Sequence, residues 1–226
     1  MPVTVQTQSM ATPEGVGDPV VFLSPHADDE TLAMGPAVER AVADGRHVVV
    51  VLVTDGRASG ARAFTDLGVA EFSAARDREF FAACAALGVP QEQVFLAHCV
   101  DGALSEDLAR TVVGTWTGLF PAGRFCATTW TDAHRDHAAL GAALRDLAPT
   151  TAGDVRFYVK PDEWEATTPR PAVTVEHAPG TRYLAACDEY ARVDHAAGRY
   201  GIGVLSVPGS FTRRRASDES RWHGRT

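Results

Sequence analysis

Long apolar runs are missing from this chain of 226 residues. The run from Val48 to Val53, like every other in the chain, is far shorter than the roughly 20 residues that cross a bilayer, so no membrane span is expected. Residues 1–19 lack the basic and then apolar pattern of a secretory signal. Positive charge is scarce in blocks: the formal net charge is -8 and the one basic run is Arg213-Arg214-Arg215, so a surface that tracks phosphates has little support and nucleic acid is not an expected partner. Cysteine is sparse, with Cys84, Cys99, Cys126 and Cys187 far apart and no Cys-x-x-Cys spacing. That disfavours a thiolate zinc site, and the four thiols read as reduced, buried small hydrophobes. No low-complexity linker interrupts the chain, and a 45% hydrophobic composition suits one domain with one substantial core. The expectation is a cytoplasmic protein acting on a small molecule, with no nucleic acid and no membrane as partner and with homo-oligomerisation left open.

What is present is an alternation of strand and helix patterns. Strand-like runs occur at 20–24, 47–54, 94–98, 124–130, 155–160 and 172–177, and the stretches between the first five carry helical periodicity. This predicts a single α/β domain with a doubly wound, mostly parallel, Rossmann-like sheet and helices on both faces. The run from Val48 to Val53 is apolar at every position, as a central strand covered on both faces requires. The first helix is expected from Asp29 to about Ala43, with Pro36 imposing a kink or marking the start of the helix proper. A second should span about 66–87 and stop at Gly88, with Phe72, Phe80, Cys84 and Leu87 on its buried stripe. Ser105 should cap a third, a fourth should run from about Asp136 to before Pro149, and a last one should cover about 181–197. The domain is expected over 19–211. Residues 1–18 read as a flexible segment, and 212–226, rich in Arg, Ser and Asp, as a mobile tail or one ordered by a partner.

Two polar clusters carry the chemistry. Ser24-Pro25-His26-Ala27-Asp28-Asp29-Glu30 follows the first apolar strand directly, and His134-Arg135-Asp136-His137 follows the strand-like run from Phe125 to Trp130. Both therefore fall at C-terminal strand ends, where open α/β sheets bind ligands. Three carboxylates and an imidazole in one turn call for a compensating cation. On a turn into a helix, His26 and Asp29 can converge while Asp28 stands beside them, and the second cluster can add a histidine from His134 or His137. Such a set leaves a coordination position for water and a free carboxylate as base, which a hydrolytic metal site needs. Read without a metal, the first cluster is a helix cap with acidic first-turn residues, and the two histidines are surface groups at a helix start. Capping explains a carboxylate but not the imidazole.

Pro25-His26-Ala27-Asp28-Asp29-Glu30 resembles the Pro-His-Pro-Asp-Asp-Glu signature of the LmbE/PIG-L family of zinc-dependent N-acetylglucosaminyl deacetylases, and His134-Arg135-Asp136-His137 resembles its His-Pro-Asp-His signature. Thr54-Asp55-Gly56, the pair Arg76 and Glu79, Leu87-Gly88-Val89 and Asp101-Gly102 agree in order and spacing, so the resemblance covers roughly 18–147. It implies a divalent metal, zinc or another such as Fe2+ or Co2+, held by His26, Asp29 and His137. It further implies Asp28 as general base, His134 as oxyanion stabiliser and proton donor to the leaving amine, and Asp136 holding or tuning His134 through its side chain. The implied reaction is removal of an N-acyl group, acetyl above all, from an amino sugar or sugar-bearing small molecule. An amidase acting on a thiol-sugar conjugate or an N-acylated secondary metabolite is the alternative. Ala27 and Arg135 replace two prolines of the signatures, and the Arg135 charge either favours an anionic substrate or pairs with Asp132. That Asp132 occupies the position at which some members carry a tyrosine.

Other residues admit two readings. Arg76 is either half of a solvated pair with Glu79 or, as the resemblance implies, a group near the site that contacts the substrate. Asp101 is either a turn residue or a contact to a substrate hydroxyl. Glu30 supports the turn rather than the metal, and His47, His98, His177, His195 and His223 read as structural or exposed. A nucleotide-binding oxidoreductase is disfavoured because no Gly-x-Gly-x-x-Gly follows the first strand. A non-catalytic metal-binding protein on the same fold is the remaining class, and the filling of every catalytic position argues against it.

Overall fold

The computed structural model describes residues 19–148, 154–166 and 169–226. Strand β1 (Val20–Ser24) leads through the first polar cluster into a single turn, α1 (Asp29–Leu32), and then α2 (Gly35–Ala43). Pro36 stands in the first turn of α2, where its missing N–H removes no intrahelical bond. Of the two readings of Pro36 the second holds: the helix proper starts beside it, after the single turn of α1. There follow β2 (Val48–Thr54), α3 (Val69–Leu87), β3 (Val94–Cys99), α4 (Glu106–Leu119), β4 (Arg124–Thr128), α5 (Arg135–Leu147) and β5 (Val155–Val159). Gly88, with φ of 92°, ends α3 in the left-handed region, and the Ser105 hydroxyl caps α4 by accepting from the Leu108 N–H. The remainder comprises β6 (Thr174–His177), α6 (Arg182–Ala191), a short hairpin of β7 (Val193–Asp194) and β8 (Arg199–Tyr200), α7 (Ile202–Ser206), α8 (Pro208–Arg215) and β9 (Glu219–His223). The helix expected over 181–197 thus ends at Ala191 and gives way to the hairpin. Among the described residues no helix is long and apolar enough to cross a membrane.

The seven-stranded sheet has the order β3-β2-β1-β4-β5-β9-β6. Its first five strands are mutually parallel, and β9 lies antiparallel between β5 and β6. One core packs α2, α3 and α6 on one face through Val38, Phe80, Leu87 and Tyr190; the other packs α4 and α5 through Val113, Trp116, Leu140 and Leu144. All four cysteines are buried and unpaired. Strand order reverses between β1 and β4, so the loops leaving these two strands diverge and open a crevice at their C-terminal ends. Both polar clusters line that crevice.

The segment 212–226 is a correction to the sequence reading. It is not a mobile tail: it supplies the end of α8 and all of β9, which joins β5 to β6. Its arginines are anchored. The Arg214 side chain is buried, donating to the carbonyls of Leu32, Ser217 and Glu219 and lying over the rings of Trp164 and Tyr183. Arginine stems bury as apolar surface when the fork finds carbonyls, and a composition rule that counts arginine as polar misses this. The segment 1–18 lies outside the described residues.

Candidate metal centre

The turn after β1 is locked from both sides. The Ser24 hydroxyl donates to the His26 carbonyl and accepts from the Glu30 N–H, while the N–H and hydroxyl of Thr54 both donate to the Pro25 carbonyl. Held this way, His26 and Asp29 turn inward together. The second cluster arrives on α5, whose close approach to the end of β4 depends on Gly141: a Cβ there would lie 2.6 Å from the Thr128 carbonyl oxygen and from the Trp130 nitrogen. One turn earlier on the same helix face stands His137.

Three ligand atoms meet. His26 Nδ1 lies 2.9 Å from His137 Nε2 and 3.1 Å from Asp29 Oδ2, and His137 Nε2 lies 2.9 Å from the same oxygen. The outer nitrogens of both rings face carboxylates: His137 Nδ1 is 2.8 Å from Asp132 Oδ2, and His26 Nε2 is 3.2 Å from Asp101 Oδ1 and 3.4 Å from Asp136 Oδ2. Ionised carboxylates only accept, so each ring places its N–H outward. The inner nitrogens of the neutral rings then present lone pairs to each other and to a carboxylate oxygen, an arrangement that repels unless a cation sits among them. Histidine ligands with their second N–H on a carboxylate are the usual construction of metal sites.

Two other groupings of potential ligands fit less well. His134 lies within 4.8 Å of His26 and His137 by ligand atoms, but its Nδ1 accepts from the Asp136 N–H at 3.3 Å, whereas Asp29 is far closer. His26, Asp101 and Asp136 also cluster. Their carboxylates, however, already receive the N–H groups of Ala58, Gly102 and Leu104, so they serve as acceptors for the His26 N–H.

The electrostatics agree with a cation receptacle. Burial opposes charge on His26, yet the carboxylates of Asp101, Asp136 and Asp29 outweigh it and hold the imidazole well above its ordinary pKa. Burial likewise opposes charge on Asp29, and His137 and His26 overcome it, so its carboxyl lies well below the usual range. His137 is raised by Asp29 and Asp132 against its burial. Asp132 and Asp136 are each held at about 2 despite burial, Asp132 by His137 first and Asp136 by His26 first. Without a metal this centre collects protons.

Asp28 stands apart from the convergent three. Its carboxylate accepts from Arg76 Nη2 at 2.8 Å, and the same nitrogen donates to the Ala27 carbonyl while Nη1 reaches Glu79 at 3.2 Å. Arg76 is 3% exposed. It is not half of a solvated pair: it lies beside the site and fixes Asp28. The two oxygens of Asp101 face His26 Nε2 and the Ala58 N–H. The expectation that the Asp136 side chain holds His134 also changes: that carboxylate binds Gly102, Leu104 and His26, and the Asp136 backbone N–H meets His134. His134 itself is exposed, with its ring 4.6 Å from that of His26, and its pKa is lowered by burial and by its two histidine neighbours. Glu30 is buried on Thr31 and Tyr190 hydroxyls, and burial pushes its carboxyl up to about 8.

The contact of Asp132 with His137 and the presence of Lys160 were not read from the sequence. Asp132 pairs with His137 and accepts from the His134 N–H rather than pairing with Arg135. Lys160, at the end of β5, places its Nζ 3.5 Å from Asp132. It is the only lysine in a chain whose other fixed cations are arginines, and that singularity was its one signal.

The model of the PIG-L family, described as GlcNAc-PI de-N-acetylase, matches residues 21–148. No curated protein matches the chain. Among solved structures, N,N'-diacetylchitobiose deacetylase from Pyrococcus horikoshii superposes with a TM-score of 0.64 at 15% identity, over 91% of this chain and 83% of that one. The zinc inhibited form of teicoplanin deacetylase gives 0.64 at 17% identity, over 90% and 97%. A 4-carboxy-2-hydroxymuconate hydratase from Pseudomonas putida also gives 0.64, at 18% identity over 91% and 94%. At these identities the likeness is one of fold.

Proposed function

The chain belongs to the PIG-L family, and from that premise we propose that it is a divalent-metal-dependent N-deacetylase acting on an N-acetylated amino sugar or a sugar-bearing small molecule. The observation that carries the reading is the meeting of His26 Nδ1, Asp29 Oδ2 and His137 Nε2 within 2.9 to 3.1 Å of one another. These three residues would hold the ion. When bound, the ion supplies Lewis acidity toward an amide carbonyl and lowers the pKa of a water toward about 7.

The chain's own groups take the remaining parts. Asp28, held by Arg76, accepts a proton from the attacking water. His134 has Nδ1 engaged by a backbone N–H, which leaves Nε2–H to face the crevice, donate to the developing oxyanion and pass a proton to the leaving amine, the proton that Asp28 took from water replacing it. Asp132, Asp101 and Asp136 keep the ligand rings in the required tautomers, and Asp136 also ties the loop at Gly102 to the site. The products are acetate and a free amine. The donor set suits zinc and equally Fe2+ or Co2+, and a fold neighbour described in a zinc-inhibited form makes stepwise metal titration preferable to excess.

A second reading, an N-acylated secondary metabolite as substrate, is favoured by Phe64. This residue is 77% exposed on the short helical loop Gly60–Phe64, next to the segment that Asp101 pins at Ala58, and offers a lipophilic aglycone a contact. The decisive experiment is acetate and amine release by metal-reconstituted protein from a panel of N-acetylated sugars, glycosides and lipophilic N-acyl amino sugars. Metal-dependent release of both products supports the reading. Water addition to an unsaturated acid by the same protein, with no amide cleaved, would replace it with the hydratase chemistry of the third neighbour.

A further inference from the structure

Far from the crevice, where β1, β4 and β5 begin, these strands and α2 enclose a cavity of about 120 Å³. Its inner wall is apolar, formed by Phe22, Ala37 and Cys126, all buried. The Cys126 thiol is pushed up to about 12 by burial, so it adds no negative charge. Guanidinium groups dominate the rest of the wall: Arg40, Arg124 and Arg156, with Arg46 beside them, outnumber the carboxylates of Asp44 and Glu176.

These guanidinium groups are positioned by their surroundings. Arg156 donates from Nε to Asp154 at 2.6 Å and from Nη1 to Glu176 at 3.0 Å, and lies 4.2 Å over the Trp222 ring. Arg40 Nη2 donates to the His177 carbonyl at 3.1 Å. Two donors in the wall lack a hydrogen-bond acceptor. Arg124 Nε is buried without a hydrogen bond, its nearest carboxylate being Asp154 at 3.5 Å. Tyr158 is 1% exposed; the Arg156 guanidinium stands beside its hydroxyl oxygen but can only donate, so the O–H has no acceptor. Tyr158 lines the cavity together with Cys126, Glu176 and Arg156, the ionisable groups that act on its hydroxyl. A buried hydroxyl normally has a partner, and one in the wall of an arginine-lined cavity calls for an acceptor there.

We propose that this cavity is a binding site for a small oxyanion, a carboxylate or phosphate group held by the guanidinium groups of Arg40, Arg124 and Arg156 with the Tyr158 hydroxyl as an added donor. Planar forks of N–H groups match such oxyanions, and a pocket with a cationic excess and no free thiolate does not suit a metal ion. The site is separate from the metal centre: its arginines stand on α2 and near the starts of β4 and β5, whereas the metal centre lies beyond the ends of β1 and β4.

The test is thermal unfolding and calorimetric titration of the full chain with inorganic phosphate in one arm and acetate in another, against sodium chloride at matched ionic strength. Both arms are repeated on His137→Ala, so that binding at the metal centre is told apart. The expected result is a saturable rise in melting temperature with one or both oxyanions, absent with chloride and retained in His137→Ala; the arm that responds identifies the group. Tyr158→Phe, which removes only the hydroxyl that lacks an acceptor and should fold, weakens binding roughly 3- to 10-fold. Arg40→Gln, at the half-buried rim, weakens it about tenfold or more. No saturable response to either oxyanion, or wild-type affinity in both variants, overturns the proposal.

Discussion

Asp28 and Asp29 are adjacent in sequence and chemically opposite in place. Asp29 points at two imidazoles, and Asp28 turns to the buried guanidinium of Arg76. An Asp28→Asn protein should therefore keep its metal while turnover falls by about a hundred- to ten-thousand-fold, the usual worth of a general base; metal analysis beside an acetate-release assay reads both. Asp132 acts one bond further out. Replacing it with Ala frees the His137 ring to rotate and change tautomer, so metal affinity should fall about 10- to 100-fold, measured by competition with a chromogenic chelator. Unchanged affinity would mean that α5 alone orients the ring. The two aspartates differ in legibility. Asp28 was readable because a carboxylate next to a ligand at a strand end has few structural uses, whereas Asp132 reaches His137 five positions on, across a turn that obeys no helix or strand period.

Elements carry their own constraints. Helix α5 can deliver His137 only because Gly141 lets it press against the end of β4. Gly141→Ala should cost about 1–3 kcal/mol of stability, as overpacking does, and should weaken metal binding as well; denaturant titration and metal competition check the pair of effects. Strand β9 gives a pH-dependent case. His223 is 1% exposed, bonded to the Thr129 hydroxyl, and burial lowers its pKa. The unfolded chain then binds the proton more readily than the folded one, so stability is full above about pH 6.5 and is lost as pH falls toward and through the lowered folded value. Urea unfolding near neutral and mildly acid pH should show the wild type losing more stability on acidification than His223→Gln, and equal losses would contradict the burial argument. The parallel strands were legible because each is an apolar run bounded by turn residues, and β1 to β5 lie where those runs lie. Strand β9 was not. It has one large apolar residue, Trp222, and it is held in place by polar groups, Ser220 on the Ala33 carbonyl and His223 on Thr129, which periodicity does not weigh.

At the scale of the molecule, one sheet joins two differently charged ends. The C-terminal ends of β1 and β4 gather Asp28, Asp29, Asp132 and Asp136 around three histidines, and α2 with the starts of β4 and β5 gathers arginines beside a buried tyrosine. The fold makes the first gathering possible through the reversal of strand order between β1 and β4, which brings residues more than a hundred positions apart to one crevice. Because the same fold also houses a hydratase, the sheet alone does not select the chemistry; the side chains at the crevice do. The most direct measurement is metal content per chain after loading with a single equivalent and exhaustive dialysis, for the wild type and for His26→Ala, Asp29→Ala and His137→Ala. About one ion retained by the wild type and almost none by each variant is the expected result. Full retention by any of the three alanine variants, with the fold intact by circular dichroism, would show that these side chains do not share one ion.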